Sequence, residues 1–163
     1  MNVKKPFETA VTEHGPTVLR VVRAVLGPGP DADDAWSETF LAALRAWPDL
    51  AEDTNVQAWL VTVAHRKAID VARAGARRPV PTDILPERSS GTGLPDDAHP
   101  DLWAAVAALP ERQRLSLAYH YLGGLRHTET AALIGGTPEA VRRAAADGIR
   151  ALRRAYAPEG APR

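Results

Sequence analysis

The stretch that most restricts the fold is residues 138–156. At about 100° per residue, Val141, Ala145, Gly148, Ile149, Leu152 and Tyr156 fall in an arc of roughly 100°. Arg142, Arg143, Arg150, Arg153 and Arg154 share a separate arc of roughly 120°. A helix divided in this way buries one side and presents guanidinium groups on the other. Glu129 to Ile134 precede it as a short helix, followed by Gly135-Gly136, a turn. Thr137 suits the cap of the final helix and Pro138 its first position. Helix, glycine turn and capped basic helix make the pattern of a helix-turn-helix that enters a DNA groove. The alternative for the arginines is plain solvation.

The rest of the chain is patterned the same way. Strand signals are almost absent, alanine is abundant, and apolar spacing predicts helices at about 4–14, 15–26, 32–47 and 55–75, then 100–108, 111–122, 127–134 and 138–156. Asp31 or Asp33 is placed to cap the third helix, after Gly27-Pro28-Gly29-Pro30. Trp36, Phe40, Ala43, Leu44 and Trp47 form its core stripe, leaving Asp34 and Glu38 exposed. On the fourth, Val56, Trp59, Leu60 and Val63 point inward and Arg66, Asp70, Arg73 and Arg77 form a row. From Pro79 to Pro100 there are five prolines and two glycines with few large apolar residues, too little to build a core. The expected fold is all-α: two small helical domains, 1–78 and 100–157, joined by a Pro/Gly-rich linker at 79–99, with a tail at 158–163 and a helix-turn-helix in the second domain.

A net charge of zero, from 20 basic and 20 acidic residues, looks wrong for a nucleic-acid binder until the charges are placed. Residues 31–53 carry seven acids (Asp31, Asp33, Asp34, Glu38, Asp49, Glu52, Asp53) against Arg45. Residues 65–78 carry Arg66, Lys67, Arg73, Arg77 and Arg78 against Asp70, and the final helix carries its five arginines against Asp147. One acidic and two basic segments suit one basic partner and two anionic contacts. With no cysteine, a disulfide framework, a thiolate zinc site and a cysteine nucleophile are all excluded. His14, His65, His99, His120 and His127 lack metal-ligand spacing, and no phosphate loop, nucleophile triad or carboxylate pair is visible. The expectation is a non-enzyme with no cofactor and no metal. No run approaches membrane-spanning length and the N-terminus lacks a signal core, so the expected compartment is the cytoplasm.

Three motifs in register resemble one family. The run from Asp31 to Leu44 (DADDAWSETFLAAL) resembles the acidic helix of bacterial RNA polymerase sigma factors of the extracytoplasmic-function (ECF) group. Gln57 to Arg73 (QAWLVTVAHRKAIDVAR) looks like the helix that follows it, and Leu109 to Arg114 (LPERQR) opens the C-terminal domain in the same manner. The resemblance covers roughly residues 7–78 and 100–156.

The resemblance implies a sigma factor that binds core RNA polymerase and directs initiation at promoters with −10 and −35 elements. Its polymerase contacts are the largest-subunit coiled coil and the flap region. Asp33, Asp34, Ser37, Glu38 and Leu41 would meet the coiled coil, where carboxylates steer association more than they add affinity. These acids also offset the helix dipole, their simpler role. The −10 element would be captured by the loop from Pro48 to Asn55, with Asp53 and Asn55 at base edges and Arg66, Lys67, Arg73, Arg77 and Arg78 on phosphates. That loop has no aromatic stacking platform, and the spacing of Trp59 favours core burial over a stacking wedge. The −35 element would be read by Thr137, Glu139, Arg142 and Arg143 at the start of the last helix. An anti-sigma protein is the further partner the resemblance suggests.

The chain departs from the family where Ala144, Asp147 and Ile149 replace usual basic positions, which weakens the case for duplex contact by this helix. Gly148 lowers helix stability there by roughly 1 kcal/mol relative to alanine. The linker, with Asp83, Glu87, Asp96 and Asp97, resembles an acidic segment threading towards the RNA exit path, or is a plain tether. The rival reading is a stand-alone, dimeric helix-turn-helix regulator acting without polymerase.

Overall fold

The structure is a computed structural model in which residues 4–77 and 99–156 are described. Seven α-helices are found there and, among the described residues, no strand: α1 (Phe7–Leu26), α2 (Pro30–Ala46), α3 (Val56–Arg77), α4 (Pro100–Ala107), α5 (Glu111–Leu117), α6 (His127–Ile134) and α7 (Pro138–Ala155). A 3-10 turn at Trp47–Asp49 closes α2, and α5 widens into a π-helical turn at Ala118–Leu122. The linker up to residue 98 and the tail lie outside the described residues.

Two expectations about helix ends are corrected. The stretches 4–14 and 15–26 form one helix that runs through Pro16. Gly15 is buried beneath the Trp36 ring, and the Trp36 indole Nε1 donates to the Gly15 carbonyl at 2.9 Å, so packing across α2 holds the proline-bearing turn in line. Neither Asp31 nor Asp33 caps α2. Gly29 occupies the cap position without a side-chain bond, because Pro30, with its fixed φ and missing N–H, fits the first helical turn.

The N-terminal three-helix unit closes over Val18, Leu19, Val22, Phe40 and Leu60, with Trp36, Val56 and Trp59 packed against them. A train of rings runs from Trp36 to Phe40 (4.6 Å between centroids), Phe40 to Phe7 (6.4 Å), Phe7 to Trp47 (5.5 Å) and Trp47 to Trp59 (6.3 Å). Trp59 is therefore half-buried and packed against this core. Leu44 is not: it lies on the flank of the stripe and is 51% exposed.

In the C-terminal unit α7 lies across α5. Val141, Ala145 and Gly148 are its buried residues, and a methyl group on Gly148 would stand 3.4 Å from the Gln113 carbonyl oxygen and from Leu117 Cδ1. The glycine that costs helix propensity thus sits where α7 packs against α5. The two units also share apolar contacts. Val21 of α1, Val61 of α3, Tyr119 of the π turn and Leu125 form one buried cluster, and Ala24 joins Val106 and Ala118 in another.

Candidate nucleic-acid interface

The helix-turn-helix is built from local rules. The Glu129 carboxylate accepts from the Arg126 backbone N–H at 3.0 Å, closing the first turn of α6. Gly135 and Gly136 have φ of +88° and +90°, values that ordinary side chains disfavour. The Arg112 guanidinium donates to the Gly135 carbonyl and fills the space beside Gly136. Thr137 then caps α7, its hydroxyl oxygen accepting from the Ala140 N–H at 3.1 Å, with Pro138 in the first turn. The capping expected from the sequence is present.

Thr137, Glu139, Arg142 and Arg143 are all exposed at the start of α7. Further along, Arg150, Arg153 and Arg154 are exposed as well, with Arg150 paired to Asp147 one turn away. The rings of His120 and His127 stack at 3.8 Å, and His120 Nδ1–H donates to the Leu125 carbonyl at 2.7 Å. Burial lowers the His127 pKa below its ordinary 6.5, with smaller contributions from His120 and Arg142 in the same direction.

The second surface is on α2. Asp34, Ser37, Glu38 and Leu41 are exposed on it, while Asp33 is half-buried and engaged in a further interaction. Leu41 (49% exposed) and Leu44 (51%) stand beside the acids. Leu44 was missed by the sequence pattern, which assigned it to the core.

The third surface is the loop before α3 and the far half of that helix. Lys4 ties down the loop's start by donating to the carbonyls of Trp47, Pro48 (3.4 Å) and Leu50 (3.0 Å). Asp53 and Asn55 are exposed, but the Asn55 side-chain oxygen already accepts from the Ala58 N–H at 3.1 Å and caps α3. Its amide N–H groups and the second lone pair of that oxygen are not used by the cap. Arg66 and Arg73 are exposed and Lys67 is half-buried. Arg78 and the Arg77 side chain lie outside the described residues. Among the described residues no group of three or more metal-ligating side chains converges, and no helix is long and apolar enough to cross a membrane.

These surfaces define a two-domain, all-helical protein with a helix-turn-helix in its C-terminal half. Residues 10–78 match the sigma-70 region 2 family and residues 100–152 the sigma-70 region 4 family. The chain is 34% identical over 139 residues to the ECF RNA polymerase sigma factor SigD of Mycobacterium tuberculosis, spanning 78% of this chain and 66% of SigD's length. To the ECF RNA polymerase sigma factor ShbA of Streptomyces griseus it is 34% identical over 144 residues, covering 78% of this chain and 75% of ShbA. The fold is similar to that of the sigma factor RpoE in complex with the anti-sigma factor NepR from Bartonella quintana (TM-score 0.68, 16% identity, 91% of this chain and 95% of that one). It is also similar to CnrH in complex with the cytosolic domain of CnrY (TM-score 0.62, 21% identity, 91% and 85% covered). The chain belongs to the ECF RNA polymerase sigma factors.

Proposed function

We propose that this chain is a promoter-specificity subunit: it binds core RNA polymerase, carries it to promoters with two unlike elements, and helps to separate the strands. The observation that carries this reading is the pairing, in one chain, of an exposed acid-and-leucine face on α2 with a capped helix-turn-helix whose arginines face solvent. Asp33, Asp34, Ser37, Glu38, Leu41 and Leu44 meet a basic coiled coil of polymerase, the leucines contributing the desolvated centre and the acids the steering. The flap region of polymerase is the second contact.

Arg142 and Arg143 enter the major groove at the −35 element, where a bidentate arginine–guanine pair discriminates by about 1–3 kcal/mol. Thr137 donates its hydroxyl proton to phosphate while its oxygen caps α7. Strand opening costs about 1–2 kcal/mol per base step. The loop around Asp53 and Asn55 offsets part of this by holding unstacked bases, while Arg66, Lys67, Arg73, Arg77 and Arg78 hold the backbone. The chemistry belongs to the polymerase, in the cytoplasm, and this chain contributes neither a catalytic group nor a cofactor. An anti-sigma protein is part of the proposal, on the likeness to two sigma factors held by such partners.

The rival, a dimeric regulator acting alone, leaves the α2 face without a use. Run-off transcription from genomic fragments of the source organism, with sigma-free core polymerase and this chain, tests the reading. New transcripts sharing two upstream elements are expected; transcription no different from core alone would refute it.

A further inference from the structure

The last carbonyls of a helix lack partners within it and carry the negative end of its dipole. After α2 and its closing 3-10 turn at Trp47–Asp49, these carbonyls meet a residue from ahead of α1. The Lys4 ammonium donates to the carbonyls of Trp47, Pro48 (3.4 Å) and Leu50 (3.0 Å). An ammonium carries three protons, so one side chain serves all three acceptors. Lys4 is half-buried, and its Nζ lies 5.5 Å from the centre of the Trp47 ring, a cation–π distance. Phe7 packs edge-on against the same ring at 5.5 Å, which fixes where Lys4, three residues before it, can reach.

The three carbonyls open the loop between α2 and α3. Its far end is fixed by Asn55, whose side-chain oxygen caps α3 through the Ala58 N–H at 3.1 Å. Between these anchors the Thr54 N–H donates to the Ala51 carbonyl at 3.1 Å, and Ala51, Glu52, Asp53 and Asn55 are exposed. With no side chain of 51–53 buried, the course of that stretch depends on its two ends. Asp49, Glu52 and Asp53 also make the loop acidic. A loop so charged does not hold a phosphate backbone by attraction, so capture of bases there depends on how well its base-edge groups are pre-placed.

We propose that Lys4 is a positioning residue for the −10 element: it holds the start of the 48–55 loop in the course that presents Asp53 and Asn55 to unstacked bases, and touches no DNA itself. It acts on strand capture and not on polymerase binding, because Asp34, Ser37, Glu38 and Leu41 stand on earlier turns of α2. The inference rests on the sigma-factor reading.

Lys4→Met keeps a stem against Trp47 and removes the donors, whereas Lys4→Arg keeps donors and charge. In the free full-length chain, amide exchange at residues 50–55 should quicken about tenfold in Lys4→Met, the size expected from losing a hydrogen bond to a charged group, and return towards wild type in Lys4→Arg. With core polymerase and a promoter recovered by run-off transcription, permanganate should find the −10 thymines unpaired about tenfold more slowly with Lys4→Met, and Lys4→Arg should restore the rate. Polymerase affinity, helical circular dichroism and the slope of promoter affinity against salt should match wild type in both variants. Unchanged exchange or unchanged opening in Lys4→Met would overturn the proposal, as would an equal loss of polymerase affinity, the mark of general unfolding. A salt slope smaller by about one would overturn it too, making Lys4 a phosphate contact. If the wild-type chain with polymerase opens no promoter, the sigma reading falls, and the exchange result still decides whether Lys4 holds the loop.

Discussion

Tyr119→Phe removes one oxygen atom from the boundary between the two units and nothing else. The hydroxyl lies 2.6 Å from His65 Nδ1, in a site where Tyr119 is 1% exposed and His65 9%. Burial pushes the phenol pKa well above its ordinary 10, so the group is a neutral donor under all physiological conditions. Its loss leaves a buried imidazole nitrogen without a partner, at a cost of about 1–3 kcal/mol. That cost falls on the packed form alone, since separation of the units gives His65 to water. The ratio of molecules with the two units apart to molecules with them packed together should therefore rise about 5- to 150-fold, at 1.4 kcal/mol per tenfold. Fluorescence transfer between dyes on Ile69→Cys and Glu111→Cys reads the ratio. The Tyr119→Phe, His65→Leu pair should recover part of the loss, because removing both partners leaves no orphaned imidazole nitrogen. Transfer unchanged by Tyr119→Phe, with the helical spectrum intact, would show that the bond does not hold the units together.

Acidification should act on the same contact. His65 has a pKa below its ordinary 6.5, first through burial and then through Arg66, with the Leu133 carbonyl opposing. Glu111 and Arg114 of α5 line the same groove as His65, while α1 offers it only Val25 and Leu26 and α6 only Leu133 and Ile134. The neutral form is the one the packed state holds, so its contribution is complete above pH 6.5 and is lost as pH falls through the depressed value. Fluorescence transfer should drop below pH 6.5 and the drop should vanish in His65→Leu; a drop that persists in that variant assigns the effect elsewhere. Asp34→Arg with Glu38→Arg should weaken polymerase binding at least tenfold without changing the circular dichroism, and undiminished affinity would remove α2 from the interface. Arg142→Ala should cost about 1–3 kcal/mol at one base pair of the −35 element; a uniform loss across sequences in a binding titration would make it a phosphate contact instead. Gly136→Ala should lower the melting temperature of the C-terminal unit by several degrees, since a left-handed φ of +90° costs about 1–2 kcal/mol for a side-chain-bearing residue. An unshifted melt would mean the turn tolerates a Cβ.

The helices, the turn at Gly135-Gly136 and the cap at Thr137 are legible in the sequence because each follows from spacing or from one residue's local chemistry. The start of α2 was misread because Asp31 and Asp33 are good caps, yet Pro30 lets the helix begin before them. The break at Gly15-Pro16 was misread because the Trp36 contact that keeps α1 whole comes from another helix. Leu44 carries no local mark of exposure. Its burial is decided by how many of its neighbours the core can hold, and Phe40, Ala43 and Trp47 fill the stripe without it. The boundary between the units was the least visible. Its signals were present in Val61 and Ala68, apolar residues on a helix that already had a core face, and in the Gly123-Gly124 pair. Reading them requires knowing which surface they meet.

The most direct test of the central claim is co-elution of the full chain with sigma-free core RNA polymerase on a sizing column. The account predicts a one-to-one complex that Asp34→Arg with Glu38→Arg disrupts. A chain that runs apart from polymerase as a dimer, and binds a palindromic duplex by itself, would contradict it.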